Sequence, residues 1–125
     1  MARFTRYITP LGYGFLEKVY QNALCIELKK IGLDTEQQKK ISVYYDGMLV
    51  GDYCCDIIVN NMVICELKTQ ESLQDVNEYQ LVNYLKATEI EVGLLLNFGK
   101  KPQVRRKIFD NSRKSWLTTN IYRQI

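Results

Sequence analysis

The sequence predicts an α/β (α+β) fold in which one mixed central sheet is flanked by helices. Three observations carry this prediction. Apolar residues recur at helical spacing from Phe15 to Ile31, alternation with period two begins near Ile41, and the segments Tyr53 to Val59 and Met62 to Leu67 are almost continuously apolar. Strands that are apolar on both faces need cover on both, which places helices on either side of the sheet.

The first helix takes Leu16, Val19, Tyr20, Ala23, Leu24, Leu28 and Ile31 as its apolar stripe over about 17 residues, and Gly32 after Lys29 and Lys30 ends it. Ile41, Val43 and Tyr45 alternate with Lys40, Ser42 and Tyr44. Asp46-Gly47 then supplies the positive φ values of a type I′ turn before Met48 to Val50 resume the hairpin. Strand character continues from Tyr53 to Val59, turns at Asn60-Asn61 and returns through Met62 to Leu67. Leu73 to Thr88 forms the second helix, with a weaker stripe of Val76, Tyr79, Val82 or Asn83, and Ala87. Glu91 to Phe98 and Val104 to Phe109 are further strands, separated by a turn at Gly99 to Pro102. The link from the Met62 strand across the second helix to the Glu91 strand is long enough for a right-handed parallel crossover. The tail from Asn111 to Ile125 is ambiguous.

A length of 125 residues is expected to form one domain, residues 1–125, with one core and no room for a second. No histidine is present, which excludes His-dependent catalysis and His-ligated metals. Cys25, Cys54, Cys55 and Cys65 match neither a zinc knuckle nor a secreted disulfide framework, so buried free thiols in a reducing compartment are expected. The N-terminal MARFTRYITPLGYGF has no apolar signal region, and no run of about 20 apolar residues occurs, which predicts a soluble cytoplasmic protein with no membrane partner. The net charge of +3 is unevenly divided: residues 100–125 carry eight Lys or Arg and one acid, a net +7, and residues 1–99 carry −4. A basic end of this kind is either a surface for a phosphate backbone or a solvated face.

Asp56 and Glu66 carry the functional argument, because each is embedded in apolar strand sequence, CCDIIV and VICELK. Charges in that setting need compensation. Glu66 and Lys68 are two apart and share a strand face, while Cys65 and Leu67 point to the other. The Asn60-Asn61 turn makes an antiparallel pairing feasible that brings Asp56 within reach of Met62 to Glu66. Two carboxylates converging in a low-dielectric crevice either take up protons or are neutralised by a hard, oxygen-seeking cation such as Mg²⁺. The backbone carbonyl of Cys65 is a further oxygen ligand, and Lys68 would orient or deprotonate an attacking water, a set able to hydrolyse phosphodiesters. The competing reading is a buried ion pair between Lys68 and Glu66 or Asp56 that performs no chemistry. Gln80 and Tyr84 share a helix face, with Asn83 and Lys86 near its rim, and are either core hydrogen-bonding groups or residues that orient the lysine or touch a phosphate. Glu17 is either a first-turn acid that suits the helix dipole or a further site acid.

The run Gly14-Phe15-Leu16-Glu17-Lys18-Val19-Tyr20 resembles the defining motif of the GxxExxY proteins, a group within the PD-(D/E)XK nuclease-like superfamily. The resemblance extends from Gly12 to about Lys107 through Val50-Gly51-Asp52-Tyr53 leading to Asp56, Ile64-Cys65-Glu66-Leu67-Lys68, the segment from Gln80 to Thr88, and Gly93 to Gly99. It implies a restriction-endonuclease-like core with Asp56 and Glu66 as metal ligands and Lys68 as the lysine of the ExK element. It further implies that Gln80 and Tyr84 are a QxxxY element like that of RecB-like nucleases, and that Glu17 is an acid contributed by the first helix. The cofactor implied is Mg²⁺, with Mn²⁺ as substitute.

Two functions compete on these grounds: a Mg²⁺-dependent nuclease acting on DNA or RNA, and a non-catalytic nucleic-acid-binding or protein-interaction module. Lys100, Lys101, Arg105, Arg106 and Lys107 form the candidate nucleic-acid surface, extended by Arg113 and Lys114, and strand alternation lets only one of Arg105 and Arg106 join the Glu66 face. Trp116, Tyr122 and Phe109 are expected to pack the tail or a homodimer contact rather than to stack on bases. A homodimer holding a small phosphate ligand is a third reading, for which the sequence offers no nucleotide-binding loop.

Overall fold

The computed structural model describes residues 10–119. Helix α1 (Glu17–Lys30) leads into a long hairpin, β1 (Thr35–Tyr45) and β2 (Met48–Val59), then β3 (Val63–Lys68), α2 (Asp75–Lys86), β4 (Val92–Asn97), β5 (Gln103–Ile108), a 3₁₀ turn (Asn111–Arg113) and a short α3 (Ser115–Thr119). The five strands form one sheet in the order β1-β2-β3-β4-β5. β3 and β4 run parallel across the α2 crossover, and the other neighbours are antiparallel. This is the expected mixed sheet flanked by helices. Among the described residues no helix is long and apolar enough to cross a membrane.

The turns follow their residues. Asp46 and Gly47 take positive φ values of 51° and 74°, and Asn60 and Asn61 take 52° and 53°. Helix α1 ends as Gly32 predicts: the Gly32 N–H bonds Lys29 O and the Leu33 N–H bonds Leu28 O, the two bonds of a Schellman motif. Strand β1 begins six residues before the predicted alternation, at Thr35. Its leading half, TEQQKK, lies on the sheet edge, where main-chain pairing with β2 holds it and polar side chains face water.

Each helix covers one face of the sheet. Tyr20, Leu24 and Cys25 of α1 pack on Ile57, Val59, Cys65, Leu67, Leu96 and Phe98. Leu81 and Leu85 of α2 pack with Ile41, Cys55, Ile58, Ile64 and Leu95. The helix stripes differ from those expected. Leu16, Val19 and Ile31 are exposed while Gln21 is buried in α1, and Val76 and Tyr79 are exposed while Asn77, Leu81 and Leu85 are buried in α2. The buried polar residues explain the rotation: Asn77 completes a capping box with Gln74, and Gln21 bonds the main chain of β2. Gly93 lets α2 settle on β4, since a Cβ there would lie 2.7 Å from Leu81 Cδ1.

All four cysteines are free; Cys25, Cys55 and Cys65 are buried as expected, whereas Cys54 is exposed. The tail packs on the body as expected for its aromatics, with the Arg113 guanidinium 4.3 Å from the Phe109 ring centroid and the Trp116 indole N–H donating to Lys86 O. Tyr122 lies outside the described residues. Lys114 departs from the expectation of a nucleic-acid-facing cation. It is buried, and its Nζ donates to Thr88 O, Ile90 O and Asn111 Oδ1 at 2.8, 2.9 and 2.6 Å. Burial holds its pKa below the usual lysine value, with Glu91 and Asp110 opposing the shift.

The loop that leaves β3 is pinned by a buried amide. Asn97 Oδ1 accepts the Gln70 N–H and Asn97 Nδ2 donates to Gln70 O, both at 2.8 Å. Gly99 permits the approach, because a Cβ there would stand 2.5 Å from Gln70 O. Asn97→Leu would leave both Gln70 main-chain groups without these partners. The expected cost is about 2–4 kcal/mol, or roughly 10 °C in Tm, read by thermal unfolding; an unchanged Tm would contradict this role.

Candidate active site at the opening of the β2 ladders

Asp56 sits where β2 loses its main-chain partners. The β1/β2 register steps from Gln37↔Ile57 to Lys39↔Cys55, passing over Gln38 and Asp56, and the β2/β3 register ends at Ile57↔Cys65. Gln38, opposite Asp56, takes a positive φ of 55°, a left-handed conformation that breaks the regular ladder. Side chains meet the Asp56 main chain instead. Its N–H donates to Glu66 Oε2 at 2.7 Å, and its carbonyl accepts from Gln21 Nε2 at 2.9 Å. In return Asp56 Oδ2 accepts the Leu67 N–H at 2.8 Å. Each acid therefore holds the other's strand through a charge-assisted bond, satisfying main-chain donors that a buried strand cannot leave open. The facing of β2 also changes here: Tyr53 and Cys55 belong to the α2 side, Ile57 and Val59 to the α1 side.

The arrangement is electrostatically tense. Glu66 is 7 % exposed. Burial pushes its carboxyl up to about 7, and the charge on Asp56 adds to this; the Asp56 N–H and Lys68 oppose the shift, while Glu17 adds a little more. Glu17, half-buried in the first turn of α1, is raised by burial, pulled down by Lys68 and pushed up by Asp56. The Tyr84 ring packs on that of Tyr53 at a tilt of 30°, with centroids 4.2 Å apart. Burial raises the Tyr84 hydroxyl to about 12, with Glu66 and Asp56 contributing. The Cys55 and Cys65 thiols are likewise raised to about 12, chiefly by burial, so both remain protonated and inert at neutral pH. Glu17, Asp56, Glu66, Lys68 and Tyr84 thus act on one another. Among the described residues Lys68 closes no ion pair with Asp56 or Glu66 within 4.0 Å, which disfavours the inert ion pair.

The Gly14, Glu17 and Tyr20 positions divide their labour. Gly14 has a φ of 104° in the turn entering α1. Tyr20 is fully buried, stacks on Phe98 at 4.6 Å, accepts the Phe15 N–H and donates to Gly12 O at 2.7 Å. This anchorage presents Glu17 to the acid pair. Gln21, one turn further on, is the residue that sequence reasoning missed; its only signal is a polar residue adjoining Tyr20 on the inward face.

A hard cation fits the donor set. The inter-strand bonds engage one oxygen of each carboxylate, leaving Asp56 Oδ1 and Glu66 Oε1 outside them. Among the described residues no three His, Cys, Asp or Glu groups close into a metal cage; two carboxylates with retained waters are an arrangement Mg²⁺ accepts. Strand geometry discriminates between main-chain oxygens. Lys68 O accepts the Phe98 N–H on the β4 side, and the Leu67 N–H points to Asp56 on the β2 side. The Leu67 carbonyl therefore faces β2 beyond the end of the ladder, whereas Cys65 lies inside it, in register with Ile57.

The outlying residues do not all converge. Gln80 is exposed and lines a groove with Tyr53, Asn83 and Tyr84, a groove whose lining does not include Asp56, Glu66 or Lys68. Arg105 and Lys107 share Glu78 of α2 as ion-pair partner, while Arg106 projects to the opposite face, the division that strand alternation predicts. Lys101 is exposed, and Lys100 lies 5.6 Å from the Tyr13 ring centroid.

The raised Glu66 carboxyl has a stability consequence with a definite sign. Between 4.5, the ordinary value, and about 7, the native chain holds a proton that the unfolded chain has released, so stability falls as pH rises through this window and levels off above it. Glu66→Gln keeps an oxygen for the Asp56 N–H without the charge. Its Tm should gain on the wild type from pH 5 to pH 7.5 by an amount equivalent to at most roughly 3 kcal/mol. A difference independent of pH would contradict this account.

A profile of the PD-(D/E)XK nuclease superfamily matches residues 1–107. Among solved structures, the protein described as SSO0001 aligns with a TM-score of 0.60 and 17% identity over 94% of this chain and 68% of that one, which supports the restriction-endonuclease-like fold. Hjc, a Holliday junction resolvase from Archaeoglobus fulgidus, aligns with a TM-score of 0.45 and 19% identity over 76% of this chain and 87% of its own. No curated protein matches the sequence significantly. The profile covers the strand pair that carries Asp56, Glu66 and Lys68, and the chain belongs to the PD-(D/E)XK nuclease superfamily.

Proposed function

We propose that the protein is a GxxExxY-type, Mg²⁺-dependent nuclease that hydrolyses phosphodiester bonds of DNA or RNA, built as one domain over residues 1–125 and working in the cytoplasm. The observation that carries the reading is the reciprocal bonding of Asp56 and Glu66 where the ladders open, with Lys68 on the Glu66 strand. Asp56 Oδ1, Glu66 Oε1 and the carbonyl of Leu67, in place of that of Cys65, would hold the cation. A bound Mg²⁺, or Mn²⁺ in its place, supplies charge stabilisation at the phosphate and a more acidic attacking water.

The chain's own groups supply the rest. Lys68 Nζ orients the attacking water or takes its proton. The Tyr84 hydroxyl, raised to about 12, stays protonated and serves as a donor. Gln80 lies on the same helix face, and Glu17 balances Lys68 from α1. Lys100, Lys101, Arg105 and Lys107 would meet the phosphate backbone, with Arg105 and Lys107 first leaving Glu78, while Arg106, on the opposite face, would not join them. The second reading, a non-catalytic nucleic-acid-binding or interaction module, draws on the exposed apolar hairpin tip at Tyr45, Met48, Leu49 and Val50, a surface that would also suit a homodimer.

The test is cleavage of single-stranded, duplex and branched DNA and of RNA with Mg²⁺ or Mn²⁺. Cleavage should stop with EDTA and fall at least about a hundredfold in Asp56→Asn and Lys68→Ala proteins that retain their fold. Salt-sensitive binding with no cleavage of any substrate by the wild type would overturn the nuclease reading in favour of the second.

A further inference from the structure

We propose that the groove between the β1–β2 hairpin and α2 binds an unpaired nucleobase of the strand whose phosphate lies at Asp56 and Glu66, directing the protein to single-stranded or frayed nucleic acid. The proposal rests on the nuclease reading and names its substrate class. The groove has a volume of about 960 Å³, within the range of small-ligand sites.

Continuity with the acids is the first argument. The Tyr53 and Tyr84 rings, with centroids 4.2 Å apart, form a wall of the groove; Tyr53 precedes Asp56 by three residues on β2 and lies on the α2 face together with Ile64 of β3, the face that strand alternation also gives to Glu66. The second argument is the lining. Tyr44, Tyr45 and Trp116 add three more rings, and the Trp116 indole is tethered to Lys86 O at 2.8 Å. Aromatic faces stack on any base, which makes such a lining tolerant of sequence. Gln80 and Asn83 contribute amides that both donate and accept, as a base edge requires.

Charge supplies the third argument. The lining holds one cation, Lys86, against Asp46 and Glu89, so it does not attract a phosphate and suits an uncharged base. A base inside a duplex has its faces stacked and its pairing edge occupied, so only an unpaired or extruded base can enter.

The test uses 2-aminopurine in DNA and RNA oligonucleotides, placed either in a short single-stranded gap or within a paired duplex, with the full chain in EDTA so that nothing is cut. The gap probe, as DNA or as RNA, should be quenched and should bind about tenfold more tightly than the duplex at the same salt. Tyr45→Ala should remove most of that advantage and Asn83→Ala part of it, with Tm and duplex binding unchanged. Equal affinity for both probes, or an advantage untouched by both variants, would overturn the proposal. So would a Tyr45→Ala effect on self-association alone, which would assign the face to a second copy. Because the readout needs no turnover, a protein that stacks the probe and cuts nothing loses the nuclease reading and keeps the groove. One that cuts single strands and duplex alike, without regard to Tyr45, does the reverse.

Discussion

The exchange of hydrogen bonds between the Asp56 and Glu66 carboxylates and each other's strands is the constraint on which the rest of the molecule depends. A sheet that opens in its interior must satisfy the main-chain groups it exposes. Here the two acids do so, and the bonds that keep β2 beside β3 thereby place two charges in a crevice with little water. The cost appears in the raised Glu66 carboxyl. The strand bonds and a cation both favour the ionised carboxylates, while burial and mutual repulsion oppose them. A neutral isostere keeps the acceptor for the strand and loses the charge a cation needs.

The supports of this pair lie on regular elements, which favours a preorganised site. Gln21 reaches from α1 to the Asp56 carbonyl and in turn accepts from Gln38 Nε2, tying the irregular residue of β1 to the same point. Tyr20 fixes the chain entering α1, and Asn97 with Gly99 fixes the loop leaving β3. The change of facing at Asp56 sends Tyr53 and Cys55 toward α2. Tyr84 can then pack on Tyr53 and stand near Glu66, so the groove and Glu66 share a face of the sheet as a consequence of one irregular strand residue.

Much of this was legible in the sequence where a local rule has a single solution. Period two placed Glu66 and Lys68 on one face, the turn at Asn60-Asn61 made a return of β3 toward Asp56 feasible, and the α2 segment was long enough for a parallel crossover. What was hidden depended on polar residues buried for their hydrogen bonds. Apolar stripes located both helices but misjudged their inward faces, because Gln21 and Asn77 take positions that hydropathy assigns to water. Lys114 read as a surface cation because a charge count cannot distinguish an ammonium solvated by water from one enclosed by three carbonyl-type acceptors. The early part of β1 carries no apolar alternation because this edge segment is held by main-chain pairing with β2 and by polar side-chain bonds such as Gln37 to Asn22 and Gln38 to Gln21.

The division between an acidic body and a basic terminal segment also takes physical form. Glu78 draws Arg105 and Lys107 onto α2, and Lys114 is withdrawn into the structure, so fewer free cations remain than the count of +7 suggests. In the proposed nuclease, attraction of a backbone would then fall more heavily on a cation held by the acid pair. A crystal structure of the protein soaked in Mn²⁺ near pH 8, read by anomalous scattering, tests the central claim most directly. The account predicts one ion held by Asp56 Oδ1, Glu66 Oε1 and the Leu67 carbonyl, with the Asp56–Glu66 inter-strand bonds intact. Absence of an ion at saturating Mn²⁺, or an ion that binds only after those bonds break, would contradict it.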